Sequence, residues 1–206
     1  MDAVNGYLLI VEDDPDILKL LQTTLAFHGY QVSTARNGAE GLLAIEKERP
    51  ALVIADIMMP KLDGFGLINR LRINPETRDI PVVLVTATYV TAEDKEFAQN
   101  IGATRFIQKP IDMEKFLATI REILAQGTHI APEPLKDFDF YEGYRQRLQS
   151  KLDEKTAQIA REELLLEEAI SDEAHRPIQS SLNRAIKERD ELEILLEQIH
   201  SQINKL

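Results

Sequence analysis

The sequence predicts an open α/β fold in which short parallel strands alternate with helices. Four apolar runs are too short and too rich in β-branched residues for helices, and each is typical of a buried parallel strand. Stretches with helical periodicity separate them. The four runs are residues 7–11, 51–55, 82–85 and 106–108. In such a sheet, ligands bind just beyond the carboxyl ends of the strands, so the polar residues that follow each run are the first candidates for a functional site.

Helix signals fill the intervals between the strands. Asp14-Pro15 predicts the start of a first helix and Gly29 its end, because aspartate caps helices and proline suits their first turn. The alternating segment 31–35 predicts a more polar strand at an edge of the sheet. The positions expected to face the core in the first two helices are Ile17, Leu18, Leu21, Leu25, Leu42, Leu43 and Ile45.

Three further helices complete five strand–helix units. Residues 64–73 and 92–100 are expected to form the third and fourth helices, and Asp112 is expected to cap the fifth. Its apolar stripe is Phe116, Leu117, Ile120, Ile123 and Leu124. The prolines after Gly127 predict a linker. We therefore expect three segments, which are an α/β domain over residues 1–126, a linker over 127–134 and a helical extension over 135–206.

Composition restricts the function further. The chain has no cysteine, which excludes disulfides and thiolate metal sites. Its net charge is −11, and neither the first nor the second part shows the basic footprint of a nucleic-acid-binding protein. No apolar run reaches the ~18 residues of a membrane span, and the N-terminus has no basic leader. We expect a soluble cytoplasmic protein without direct nucleic-acid or membrane contacts.

The polar residues at the strand ends point to one kind of chemistry. Glu12-Asp13, Asp56, Thr86 and Lys109 would converge at one edge of the sheet. Clustered carboxylates repel each other unless a cation joins them, which predicts a hard divalent metal, Mg²⁺ first. The lysine and the hydroxyl suit a transferred anion such as a phosphoryl group. The pattern therefore predicts phosphoryl chemistry on a carboxylate.

These motifs resemble the receiver domain of two-component response regulators, over about residues 5–126. The resemblance rests on Val11-Glu12-Asp13-Asp14, on Asp56-Ile57-Met58-Met59-Pro60 followed by Gly64, on Thr86-Ala87 and on Lys109-Pro110. Any one fragment is weak, but four in order at intervals of one strand–helix unit are specific. The resemblance implies a flavodoxin-like, doubly wound, five-stranded parallel sheet of order 2-1-3-4-5 with five helices. Here a long α-helical coiled-coil extension would follow it.

The resemblance also implies roles for the candidate site residues. Asp56 would accept a phosphoryl group from a histidine kinase or a histidine phosphotransfer protein, and Lys109 would bind the phosphoryl oxygens. The ligands of Mg²⁺, or of Mn²⁺, would be the carboxylates of Glu12, Asp13 and Asp56 and the backbone carbonyl of Met58. Asp13 would bind the metal directly and Glu12 through water. The protein would then catalyse its own phosphorylation and dephosphorylation, without being a kinase.

The resemblance further implies a switch. The hydroxyl of Thr86 would turn toward the new phosphoryl group, and the ring of Phe106 would enter the space it leaves. Many relatives have tyrosine at this position, so Phe106 lacks a hydroxyl that could bond outward. The switched surface would comprise the fourth helix, the fifth strand and the fifth helix. Met58 and Thr88 would flank the path of the water that hydrolyses the phosphoryl group. Because Met58 has no amide or acid to orient that water and shields the phosphoryl group instead, we expect slow loss.

The extension contains a heptad pattern. Nine positions are spaced alternately by four and three residues, as in a coiled-coil seam. They are Ile178, Leu182, Ala185, Arg189, Leu192, Leu196, Ile199, Ile203 and Leu206. This predicts either a homodimer through residues 178–206, parallel in its simplest form, or helix pairing within one chain. Pro177 requires a kink or break, and we expect one kinked helix rather than a hairpin. Arg189 is expected to reach toward Glu193.

The sequence thus predicts a response regulator whose output passes through partners and through its helical extension. Two alternatives stay open at this stage. One is an adaptor whose coiled coil mediates assembly while the first domain sets its geometry. The other is an N-terminal fragment of a larger signalling protein.

Overall fold

A computed structural model describes residues 6–87, 91–127, 132–168 and 172–206 of the chain. The chain folds as two compact units, residues 1–135 and residues 136–206. The first unit alternates strands and helices, whereas the second contains two long helices.

The first unit is built on a five-stranded sheet in the order β2-β1-β3-β4-β5, with every described pairing parallel. The strands are β1 (Leu8–Val11), β2 (Val32–Ala35), β3 (Leu52–Asp56), β4 (Val82–Thr86) and β5 (Arg105–Gln108). The helices are α1 (Pro15–Phe27), α2 (Gly38–Lys47), α3 (Gly64–Ile73), α4 (Ala92–Asn100) and α5 (Met113–Gln126). The predicted doubly wound fold and its strand order are confirmed.

The cap signals in the sequence position the helices. Oδ1 of Asp14 accepts hydrogen bonds from the backbone N–H groups of Asp16 and Ile17, at 2.9 and 3.1 Å. The carboxylate of Asp112 likewise accepts one from the N–H of Lys115, at 3.2 Å. Each cap satisfies backbone donors that the first helical turn leaves unpaired. These caps fix where α1 and α5 begin, immediately beyond the carboxyl ends of β1 and β5.

Strand register brings the carboxyl ends together. Val11 pairs with Ala55, Asp56 with Val85 and Thr86 with Gln108, so the strands end at one edge of the sheet. Strands β1, β3 and β4 are buried along their whole length. Such two-sided burial is typical of strands covered by helices on both faces, and it anchors the strand ends that carry the polar residues.

Two expectations about burial are wrong. Strand β5 was expected to be buried, but Arg105 and Gln108 are exposed and the two residues between them are half-buried, because β5 forms an edge of the sheet. Leu43 was expected to face the core, yet it is 56 % exposed. Ile45 on the same helix is buried, so α2 presents a narrower apolar stripe than its sequence predicts.

The second unit consists of α6 (Asp137–Glu168) and α7 (Asp172–Ile203), which pack against each other. Lys155 Nζ lies 2.5 Å from Glu188 Oε2, and Ser181 Oγ donates to Glu162 Oε1 at 2.8 Å. Residue numbers rise on one helix as they fall on the other, so the helices are antiparallel. The predicted single kinked helix is wrong, because the extension forms two antiparallel helices rather than one. The predicted break at Pro177 is also absent, since α7 is continuous across that residue.

The heptad seam of α7 is buried within this unit. Buried seam residues are Leu182, Ala185, Leu192, Leu196 and Ile199. Leu182 and Ala185 form a cluster with Ile159 of α6. The described structure thus shows the pairing within one chain that the sequence left open. A homodimer would use the same side chains, and it stays a prediction. Arg189 pairs most closely with Asp190, at 2.6 Å, and lies 3.9 Å from Glu193.

Candidate functional site

Three acidic side chains meet at the carboxyl edge of the sheet. Glu12 follows β1 directly, Asp13 comes next, and Asp56 is the last residue of β3. One carboxylate oxygen from each of them lies within 4.8 Å of the others. Glu12 and Asp56 are buried, whereas Asp13 is exposed. The cluster therefore has a buried wall and one side that is open to solvent.

Lys109 joins the buried wall. Its Nζ donates to Glu12 Oε2 at 2.9 Å and lies 3.0 Å from Asp56 Oδ1. Its backbone N–H donates to the carbonyl of Thr86 at 2.8 Å, which ties the end of β5 to the end of β4. The peptide bond between Lys109 and Pro110 is cis. Lys109 is thus held at the site through both its backbone and its side chain.

The electrostatics of the cluster follow from burial and crowding. Burial, followed by repulsion from Glu12, raises the pKa of Asp56 to about 7. Burial also raises the pKa of Glu12. Burial alone would lower the pKa of the Lys109 ammonium, but the carboxylates of Asp56 and Glu12 outweigh it and raise that pKa. Lys109 therefore stays charged, while the carboxylates share a site that disfavours their full ionisation.

The donor set fits a hard divalent cation. With all three acids ionised, a single ammonium leaves two negative charges uncompensated in the cluster. Carboxylate oxygens are the ligands that Mg²⁺ and Mn²⁺ prefer, and the exposed position of Asp13 leaves an approach from solvent.

Of the remaining predicted site residues, Thr86 and Met58 lie at or just beyond this edge, whereas Phe106 lies two residues before the end of β5. Thr86 is the last residue of β4 and is buried, and Phe106 is half-buried in β5, where it pairs with Leu84. Met58 is half-buried two residues beyond Asp56. Thr88 lies outside the described residues. The structure thus brings Lys109 into contact with Glu12 and Asp56 and places Asp13 within 4.8 Å of both acids. The switch role of Thr86 and Phe106 stays a prediction.

A further buried acid, which the sequence reasoning missed, lies at the start of α3. Asp63 is 2 % exposed and caps α3, with Oδ1 accepting from the N–H of Gly66 at 2.8 Å. Its Oδ2 is buried without a hydrogen-bond partner, and burial raises its pKa to about 7. An acid directly before a glycine-initiated helix is the signal that could have found it.

Gly64 lets the start of α3 lie close to the backbone at the end of β3. A Cβ atom at this position would lie 2.4 Å from the backbone oxygen of Asp56 and 2.9 Å from Cα of Ile57. The N–H of Gly64 also donates to the carbonyl of Ile57 at 2.9 Å. Only glycine fits this contact without movement of the backbone, so Gly64 sets the path of the segment that follows Asp56.

A parallel sheet of this order, with an acid cluster and a lysine at its carboxyl edge, is the architecture of a signalling receiver. Comparison with known proteins agrees with that class. Residues 8–121 match the family described as the response regulator receiver domain. The chain belongs to this family.

Several curated proteins are similar to the chain. It is 39 % identical over 130 residues to the probable transcriptional regulator ycf27 of Pyropia yezoensis, with 63 % of this chain and 52 % of that protein covered. It is 40 % identical over 118 residues to protein PilH of Pseudomonas aeruginosa, covering 57 % and 97 %. A third, the DNA-binding dual master transcriptional regulator RpaA of Synechocystis, is 37 % identical over 123 residues, covering 60 % and 51 %. The chain spans about half the length of the ycf27 and RpaA relatives.

Solved receiver structures show the same fold. The receiver domain of a signal transduction histidine kinase from Syntrophus aciditrophicus aligns with a TM-score of 0.55 at 34 % identity, covering 59 % of this chain and 92 % of that one. The chemotaxis response regulator CheY4 of Vibrio cholerae aligns with a TM-score of 0.54 at 30 % identity, covering 57 % and 98 %. Because relatives include a DNA-binding regulator, the expectation of no nucleic-acid partner stays a prediction. Among the described helices, none is both long and apolar enough to cross a membrane.

Proposed function

We propose that the chain is a phosphorylation-controlled response regulator whose phosphoacceptor is Asp56. The observation that carries this proposal is the position of Lys109, whose ammonium lies 3.0 Å from the carboxylate of Asp56 at a solvent-accessible acid cluster. An ion pair between Lys109 and Asp56 that only stabilised the fold would not require Glu12 and Asp13 at the same point. A site that binds a cation and a phosphoryl group needs all of these groups.

The proposed reaction is transfer from a phosphohistidine of a kinase or phosphotransfer protein. A carboxylate oxygen of Asp56 forms a bond to phosphorus, and the bond between phosphorus and the imidazole nitrogen breaks. The imidazole keeps the electron pair and takes a proton from water. Lys109 exchanges its contact with Asp56 for the phosphoryl oxygens, so its charge is in place before transfer begins. The nucleophile is the ionised form of Asp56.

Glu12, Asp13 and Asp56 are the proposed carboxylate ligands of Mg²⁺ or Mn²⁺, and the backbone carbonyl of Met58 is the fourth. When bound, the ion supplies positive charge against the acids and the phosphoryl oxygens. Its charge also favours the ionised form of Asp56 over the protonated one. The nucleophile is therefore available at neutral pH when the site is loaded.

The proposed response is a rearrangement at the ends of β4 and β5. The hydroxyl of Thr86 donates to a phosphoryl oxygen, and the ring of Phe106 moves into the space vacated. The backbone bond from Lys109 to Thr86 supports this proposal because it couples the two strand ends. The α4–β5–α5 surface then signals to a partner. We assign residues 1–126 to the receiver, 127–134 to a linker and 135–206 to a partner-binding extension.

The test is phosphorylation by acetyl phosphate in the presence of Mg²⁺, followed by intact-protein mass spectrometry. The wild-type chain should gain one phosphoryl group that is labile to base and hydroxylamine, and removal of the metal should prevent the gain. Asp56→Asn should abolish it. Asp14→Asn is the matched control, because this exposed cap lies next to the cluster and should remain phosphorylatable. Stable phosphorylation of Asp56→Asn at serine or histidine would overturn the proposal.

A further inference from the structure

The helical unit carries a self-complementary seam that its own first helix covers. Eight of the nine heptad positions from Ile178 onward are apolar, which is the pattern that associates two copies of a helix. In the structure this seam faces α6, and five of its members are buried. The seam is thus an interaction surface that is already occupied within the chain.

The partner helix α6 combines apolar residues with polar contacts to α7. Lys155 and Glu162, which meet α7 in the hairpin, are ionisable, and both make polar contacts across it. Lys155 faces Glu188, and Glu162 accepts from Ser181. Because α6 also carries buried apolar residues, among them Leu148 and Ile159, apolar burial is available in either pairing and does not by itself decide between them.

Charge and connectivity favour α6 instead. A parallel pair of α7 helices would place the two copies of Arg189, an inward position of the seam, at the same level, where their like charges oppose association. In the hairpin, Lys155 instead provides an opposite charge to Glu188 at 2.5 Å. The short connection between residues 168 and 172 also raises the effective concentration of α6 to about the millimolar range.

We propose that α6 is an intramolecular cover over a latent self-association seam on α7, and that the Lys155–Glu188 pair and the Glu162–Ser181 contact select the covered state. The ligand of the uncovered seam is a second copy of this chain. The chain is then monomeric through residues 136–206 while the hairpin is closed, and dimeric through α7 when it opens. This inference does not depend on phosphorylation of Asp56.

The experiment is a charge-reversal cycle in the full chain. Lys155→Glu and Glu188→Lys each place like charges across the hairpin, and the double variant restores an opposite pair with its polarity reversed. Like charges brought together at an interface cost several kcal/mol, so each single variant should dimerise at least about tenfold more tightly than wild type. Sedimentation velocity across micromolar concentrations should show wild-type and double-variant monomers and single-variant dimers.

Lys187→Glu is the matched control. It makes the same charge change as Lys155→Glu, but on α7. Lys187 is an exposed side chain that pairs only loosely with Glu191, at 3.5 Å. It should leave the chain monomeric. Circular dichroism identifies a single variant that has unfolded as a whole. In that case the test is whether the double variant recovers a folded monomer.

Three results would overturn the proposal. One is a wild-type dimer, whether or not it responds to the charge cycle, because the seam would then be shared between chains. Another is a pair of single variants that stay monomeric with wild-type thermal unfolding. The third is a double variant that fails to recover the monomer.

Discussion

The ammonium of Lys109 lies 3.0 Å from the carboxylate of Asp56, and the same nitrogen lies 2.9 Å from Glu12. The three residues come from the ends of three different strands, so the sheet register alone brings them together. Lys109 therefore plays two opposed parts. It neutralises the acids of the resting site, and in the proposed reaction it transfers its contact to the phosphoryl group.

Replacing Lys109 with glutamine should separate these two parts. Phosphorylation by acetyl phosphate should slow by about 100-fold or more, since one charged donor to the transferred group is lost. Mg²⁺ should bind more tightly, because the acid cluster loses its only close ammonium among the described contacts. Mass spectrometry measures the rate, and calorimetric titration measures the affinity.

Lys61→Gln is the control for that variant, since Lys61 is exposed and lies 3.9 Å from Glu40. Both its phosphorylation rate and its metal affinity should match wild type. Weaker Mg²⁺ binding by Lys109→Gln would contradict the prediction, because it would mean that Lys109 chiefly holds the carboxylates in place.

Gly64→Ala should disturb the site through the backbone. The added Cβ would meet the backbone oxygen of Asp56 at 2.4 Å, so the loop must shift. Overpacking of this kind costs about 1–3 kcal/mol in the free energy of unfolding, and phosphorylation of Asp56 should slow in parallel. Chemical denaturation measures the first effect and acetyl phosphate kinetics the second.

Gly66→Ala is the matched control on the same helix. Its Cβ would meet the tip of the flexible Leu62 side chain, at 2.6 Å, rather than backbone. The side chain can move, and alanine favours helix over glycine by about 1 kcal/mol, so stability should stay level or rise. Equal losses in both variants would show that α3 tolerates no added methyl group and that the contact with Asp56 has no special importance.

Much of the site could be predicted because its determinants are local. A strand end followed by an acid, a threonine or a lysine is visible in a few residues, and parallel pairing then places all strand ends at one edge. The burial of Asp63 was missed because it depends on what surrounds the start of α3 from elsewhere in the chain. Its identity as a helix cap was readable, but its unpartnered Oδ2 was not.

The helical unit shows where local patterns fail. The spacing of Leu182 and Ala185 correctly marks a buried seam, but it does not say which helix covers it. The covering helix is hard to recognise from sequence because Lys155 is charged although it meets α7, and only the facing Glu188 explains a lysine there. Pro177 was given too much weight as a breaking point, since α7 is continuous across it.

Stability should fall with rising pH because of Asp63. Its pKa is about 7 in the folded chain, above the ordinary value of 3.8. Between these values the folded state binds more protons than the unfolded state, so the free energy of unfolding decreases as pH rises from about 4 to 7. Asp63→Asn keeps a cap acceptor without a titrating group, and its stability should therefore decline less steeply than that of wild type.

Urea denaturation at several pH values, with a chelator present to keep the acid cluster free of metal, measures this difference. Asp63→Asn should gain stability relative to wild type at pH 8 and lose that advantage at pH 4. Asp112→Asn is a control at another helix cap. Hydrogen bonds from Lys115 lower the pKa of Asp112, so its effect on the pH dependence of stability has the opposite sign to that of Asp63. Parallel curves for wild type and Asp63→Asn would contradict the assigned pKa.

The lifetime of the phosphorylated state should depend on Met58. This residue lies two positions beyond Asp56 and is half-buried, and its thioether is at best a weak hydrogen-bond acceptor that cannot orient an attacking water. We expect loss of the phosphoryl group over many minutes or longer. Met58→Asn introduces an amide that can hold the water and should speed hydrolysis, whereas Met58→Leu, which keeps the apolar shield, should not.

Decay of the phosphorylated mass after removal of acetyl phosphate measures all three rates. A wild-type half-life of seconds without a phosphatase, or equal rates in the two variants, would contradict the shielding argument.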